Sequence, residues 1–375
     1  MQRFFQQAGF CKRLRLLIFF PAGLLLTACA AWNPAFAEWY ATGIYAALSS
    51  AVNRITGLVP LSIAELFVIL FFLLILAAVL GIAAGLIRRK GKRPFFVRKS
   101  LINLAAFLSI VYFLFTVTCG INYYRYPFAK TCGLKVQPSS KSELEELCTS
   151  LVSEIDRLRP GLKTNRQGIM ELRQNDLHST AREAMQSYDQ MQQDYPLLRS
   201  GYSAPKLVHF SRIMSRCEIT GVFFPFTMEA NVNTDVPEYT IPVTMCHELS
   251  HLRGYMREDE ANFIGYLVCR KSSDPDFRYS GDMLAFTYAS NALFSVDAEA
   301  TDQIDSRLVP GACHDLAYNS EYWEQFQGPV AQASSSVNDH YLKANRQSDG
   351  VNSYGRMVDL LLAKQRAEKQ KAAKQ

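Results

Sequence analysis

Three apolar stretches in the first third of the chain limit what it can fold into. They are "LRLLIFFPAGLLLTACAAW" (14–32), "LSIAELFVILFFLLILAAVLGIAAGLI" (61–87) and "LINLAAFLSIVYFLFTVTCGINYY" (101–124). Each is near or above the roughly 20 residues that an α-helix needs to cross a bilayer core. Glu65 is the only charge in the second. The first has an alternative reading as a secretory signal, since "LTAC" ending at Cys29 has the form of a lipoprotein cleavage site. Two further spans would hold the protein in the membrane in either case, so an uncleaved span is the preferred reading.

The net charge of +6 is unevenly placed. Lys12, Arg13 and Arg15 stand at the start of the first span, and seven basic residues separate the second from the third. Basic blocks beside apolar runs report membrane orientation, so both segments are expected in the cytoplasm and nothing here calls for nucleic acid. Everything after Tyr124 is then extracytoplasmic. Cys132, Cys148, Cys217, Cys246, Cys269 and Cys313 fall on that side, where disulfides are permitted. Buried free thiols are an equal reading, and no CxxC pair suggests a zinc ribbon or a redox site.

The expected organisation is a membrane region (1–124), an outer domain (125–365) and a basic tail (366–375). "SSKSELEELCTSLVSEIDRLRP" and "DLHSTAREAMQSYDQMQQDYP" have apolar residues at helical spacing. "PKLVHFSRIMS" and "GVFFPFTMEANVN" are rich in β-formers bracketed by Pro, Gly and Asn, and read as short strands. The fold class is therefore α+β, with transmembrane helices followed by a mainly helical domain that holds a small sheet.

Within that domain, "VTMCHELSHLRGYMREDEANFIGYLVC" (243–269) carries the chemistry. On a helix running from Pro242 to Gly254, His247 and His251 sit four residues apart on one face, where two imidazoles can share a metal ion. Glu248 is rotated about 100° from His247 and can reach a water beside the metal without ligating it. Catalytic zinc usually takes three protein ligands, and Glu258 or Glu260 could be the third. If a second helix begins after Gly254, Glu258 and Asn262 share a face while Glu260 points about 200° away. Glu258 as ligand, with Asn262 orienting a histidine, is therefore ranked first. The alternative is an acidic, solvated helix start.

"HELSHLRG…EDEAN" resembles the gluzincin arrangement, in which HExxH is followed on a second helix by a ligand Glu and, four residues on, by Asp or Asn. The sequence departs from metzincins in placing Arg257 where their third histidine falls, and from many gluzincins in the short interval between His251 and Glu258. Through "EWYATGIYAALSSAVNRITGLVPLSIAELF", "GVFFPFTMEANVN", "FRYSG" and "VNDHYLKANRQSDGVNSYGRMVDLLLA", nearly the whole chain is similar to a bacterial membrane-protein family known only as a domain of unknown function. The resemblances imply a zincin-like metallopeptidase in the plasma membrane, holding Zn2+ and acting on a peptide or envelope-protein substrate.

Glu229, inside an expected strand, is a candidate substrate contact, and Tyr279, Tyr354 and His340, with Arg278 and Arg356, are candidates by residue type for stabilising an oxyanion. The basic tail reads as a solvated end that could touch membrane lipid. Two other classes are weighed. A non-enzymatic membrane scaffold or sensor could keep a structural metal site. Intramembrane proteolysis fits poorly, because HExxH lies far beyond the last apolar span.

Overall fold

The computed structural model describes residues 13–88, 93–174 and 176–374. Among the described residues three helices are long and apolar enough to cross a membrane, Arg13–Trp32, Ile63–Ile87 and Phe96–Thr118, which supports membrane association. The third ends at Thr118, and Gly120–Tyr124 instead forms a 3-10 turn whose Ile121 and Tyr123 are buried in the protein core.

The rest of the molecule is mostly helical around one three-stranded sheet. Strands β1 (Lys206–Leu207), β2 (Gly221–Phe224) and β3 (Glu229–Val232) are ordered β1-β3-β2, with β1 parallel and β2 antiparallel to β3. "GVFFPFTMEANV" is thus a hairpin, and β2 is an edge strand. Only two residues of "PKLVHFSRIMS" form a strand, while Ser211–Arg216 is a short helix. Helix Lys141–Leu158 begins with a reciprocal Ser140–Glu143 capping box and buries Leu144, Leu147, Leu151 and Ile155, the stripe its apolar spacing requires. Asp176 caps Leu177–Met191. The last helix, Met357–Ala372, runs through most of the basic tail, where Arg366 pairs with Glu143 at 2.5 Å and Lys369 with Glu146.

The segment between the first two spans belongs to the same core as the residues after the third. Tyr40 and Tyr45 are buried with Ile121, Tyr123 and Leu252. Asn53 donates to the Met228 carbonyl at 2.8 Å and accepts from Ser203 N–H at 2.7 Å, tying this segment to the hairpin and to the loop before β1.

The sheet is joined directly to the second span. A helix start leaves its first N–H groups without intrahelical partners, a serious cost where it enters hydrocarbon. Here Glu229 of β3 accepts from Ile63 and Ala64 N–H at 3.3 and 2.8 Å, and Ser62 Oγ accepts from Glu65 N–H while donating to Asn231. The lone charge of that span, Glu65, accepts from His209 and Phe210 N–H at 3.1 and 2.7 Å. The eight described cysteines are free.

Candidate metal centre

The helix Ile241–Leu252 carries HExxH and is buried along nearly its whole length. Its end is a Schellman turn: Gly254 N–H donates to the His251 carbonyl at 2.8 Å and Tyr255 N–H to the Ser250 carbonyl at 3.2 Å. Gly254 has φ +84°, which a side chain would strain. The reversal brings Glu258–Lys271 back alongside the first helix.

Three ligand-type atoms then converge. His247 Nε2 and His251 Nε2 are 3.0 Å apart, and Glu258 Oε2 lies 3.2 Å from the first and 3.5 Å from the second. His247, His251 and Glu258 form a group that could hold a metal ion. Each imidazole is oriented from behind. His247 Nδ1 is 2.7 Å from Asn262 Oδ1, and His251 Nδ1 is 2.7 Å from the Tyr255 carbonyl. Both acceptors fix the proton on Nδ1 and turn the Nε2 lone pairs toward Glu258.

Three lone pairs at such distances repel unless a positive charge lies among them. Burial works against a charged His251, but the adjacent Glu258 carboxylate outweighs it and pushes the imidazole up to about 9. Burial likewise opposes ionisation of Glu258, yet the two histidines hold it well below the usual carboxylate range. A proton therefore occupies this cluster at neutral pH when no metal does.

Glu248 is buried, and that burial raises its carboxyl above the ordinary range despite the opposing pull of both histidines. It also accepts from the backbone of Phe223 on β2, and Oε2 has no hydrogen-bond partner among the described residues. The carboxylate lies against Gly221, where a Cβ would stand 2.5 Å from Oε1, so a side chain at this position would have to displace the Glu248 carboxylate.

Glu260 faces away from the metal-type group, as the helical register requires. It accepts from Phe128 N–H at 2.8 Å and pairs with Arg257 at 3.1 Å. Burial pushes its carboxyl up to about 7 against the pull of Arg257.

The other sequence candidates lie elsewhere. Glu229 is engaged at the start of the second span, with its second oxygen also accepting from Thr227. Tyr279 is buried and donates to Asp315 at 2.6 Å. His340 is exposed, with Nδ1 2.7 Å from the Ser336 carbonyl. Arg356 pairs with Asp349 and Asp259 on the surface. The side chain of Tyr354 lies outside the described residues.

A cavity of about 770 Å³ opens over His247, Glu248, His251 and Glu258, and its tyrosines are Tyr123, Tyr239, Tyr288 and Tyr341. Burial pushes the Tyr288 hydroxyl up to about 12, so it stays a proton donor. Nothing local marks Tyr288 among eighteen tyrosines. Behind the site, the Tyr45 hydroxyl donates to the Leu252 carbonyl at 3.2 Å, and Arg125, paired with Glu38 at 2.8 Å, donates to the Gly254 carbonyl at 3.1 Å.

No curated protein and no solved structure matches this chain. Residues 40–362, which take in the second and third spans, the sheet and both helices of the metal-type group, match one family along their length, and the chain belongs to that family, described as "Protein of unknown function (DUF3810)".

Proposed function

We propose that this protein is a membrane-anchored zinc metallopeptidase of zincin type, its active site on the face of the membrane opposite the basic segments. The observation that carries the reading is the convergence of His247 Nε2, His251 Nε2 and Glu258 Oε2 in a cavity that also holds Glu248. Tetrahedral zinc with bonds of about 2.0–2.1 Å separates its ligand atoms by roughly 3.3 Å. The three separations of 3.0, 3.2 and 3.5 Å fit that requirement. Two neutral imidazoles and one carboxylate suit a catalytic zinc site that keeps a position for water.

When bound, zinc would polarise a peptide carbonyl and acidify a water molecule. Glu248 takes the proton of the attacking water and delivers it to the leaving amine, a task suited to a buried carboxyl whose proton affinity is raised. Asn262 and the Tyr255 carbonyl hold the imidazoles in place. Tyr288, which lines the cavity beside Asn262, is the candidate donor toward the developing oxyanion.

The test is metal content and peptide hydrolysis of the full chain in detergent or lipid, parent against Glu248→Gln. The expected result is about one zinc in both and a loss of roughly 10²–10⁴-fold in turnover in the variant. Loss of zinc from Glu248→Gln would make Glu248 a ligand or a support. Zinc without hydrolysis in the parent would replace the peptidase with a scaffold or sensor built on a structural metal.

A further inference from the structure

The cavity stands at the ends of two membrane-type helices. Cys119 and Tyr123 on its wall follow Thr118, the last residue of the third span, within five residues. On one side β2 supplies Gly221, Val222 and Phe223, and the next residue, Phe224, packs its ring 6.4 Å from Phe67 of the second span. On the other side Tyr341 packs edge-on to Phe115 of the third span at 6.2 Å. Phe67 and Phe115 each lie within about one helical turn, roughly 5 Å, of their spans' ends. With these helices in a bilayer, both walls of the cavity would rest at its boundary. Exposed Trp32, Trp39, Leu58 and Leu61, all at that same end of the spans, are suited to the interface.

The edge strand defines a direction. Among the described residues β2 has a strand neighbour only on its β3 side, and Val222 is exposed at the cavity. An extended polypeptide added along its open edge would run from Gly221, beside Glu248, to Phe224, beside the second span. Three residues at about 3.3 Å each make roughly 10 Å from the general base to the membrane.

We propose that the substrates are polypeptides anchored in the same membrane, cut in the extended stretch that leaves the bilayer, within about six residues of a transmembrane segment. The proposal rests on the peptidase reading and adds to it the class of substrate and the position of the cut. A freely diffusing peptide would meet the site only at the lipid surface, whereas an anchored one is delivered to the height of the cavity by its own span.

The experiment places the full zinc-loaded chain in phosphatidylethanolamine–phosphatidylglycerol vesicles. It is joined there by a single-span helix bearing a randomised segment of about 20 residues and a terminal tag. The same randomised segment is supplied in parallel without its helix. Products are mapped by mass spectrometry, and cuts also made by Glu248→Gln are subtracted. The expected result is cleavage clustered in the first six or so residues after the span, at least tenfold above the unanchored segment. Cuts spread evenly along the segment, or equal cleavage of both forms, would overturn this inference and leave the peptidase standing. Cleavage of neither form by the zinc-loaded chain would remove the peptidase reading, and this inference with it.

Discussion

Glu258 and Asp315 are both buried carboxylates facing basic side chains, yet their surroundings differ. Asp315 accepts four hydrogen bonds, two from Arg159 at 2.6 and 3.1 Å, one from the Tyr279 hydroxyl at 2.6 Å and one from Met170 N–H at 2.8 Å. Its lone pairs are used and its charge is balanced within the protein. Glu258 meets two imidazoles whose Nε2 atoms face each other at 3.0 Å, and only a proton or a metal cation completes that group. The first cluster is closed and holds helices together; the second has a place for something from outside. Tyr279, a candidate by residue type, belongs to the closed one.

The largest effect that would sharpen this contrast is at the histidines. His247→Ala or His251→Ala should reduce bound zinc from about one per chain to none, and Glu258→Gln should weaken binding far more than Glu260→Gln, measured by metal analysis of the full chain. Zinc that depends on Glu260 and ignores Glu258 would break the assignment.

Asp315→Ala should cost about 3–5 kcal/mol of stability, because it strands the buried Arg159, and should leave zinc binding intact while the protein remains folded. Loss of zinc below the unfolding transition of that variant would erase the distinction between the two clusters.

A smaller effect belongs to Asn262→Ala, which removes the acceptor behind His247 and no bond to metal. Zinc affinity or activity should fall roughly ten- to hundredfold. Wild-type affinity in this variant would mean that His247 needs no orientation.

The smallest is a pH slope. In the metal-free protein His251 is raised to about 9. Its proton therefore stabilises the fold fully below about pH 6.5, and that contribution is lost as the pH climbs through 9. Zinc has to displace the same proton, so apparent affinity should rise about tenfold per pH unit between roughly 6.5 and 9 and then level off. A titration that is flat over this range would show that no proton is displaced.

Much of the centre was legible because helical geometry is local. Four-residue spacing sets His247 beside His251, and the same rule separates Glu258 from Glu260 once Gly254 places the second helix. What Glu260 does was not legible, since its partner Phe128 lies 132 residues away. Glu229 stood out in the sequence as an unusual strand residue, but its role depends on N–H groups of Ile63 and Ala64 about 165 residues earlier. The three apolar helices were visible from composition, and the end of the third was not. Residues 119–124 continue the third apolar stretch without a charge, and it is their packing into the core that takes them out of the span. The edge position of β2 is a matter of strand order, which no local pattern encodes.

The bonds that fix the HExxH helix and the sheet to the early part of the chain have a consequence for how such a protein can be controlled. Tyr45, Asn53 and Ser62 hold the Leu252 carbonyl, the Met228 carbonyl and Asn231 from segments that precede the second span. Many surface proteins are shed when a protease clips the stalk between anchor and head, and the head goes on working in solution. A clip between Thr118 and Phe128 would here cut the chain between the two helices of the metal-type group and the residues that position them. Release from the membrane would then also remove the contacts that hold the metal-type group in place, so anchor and site are built as one unit.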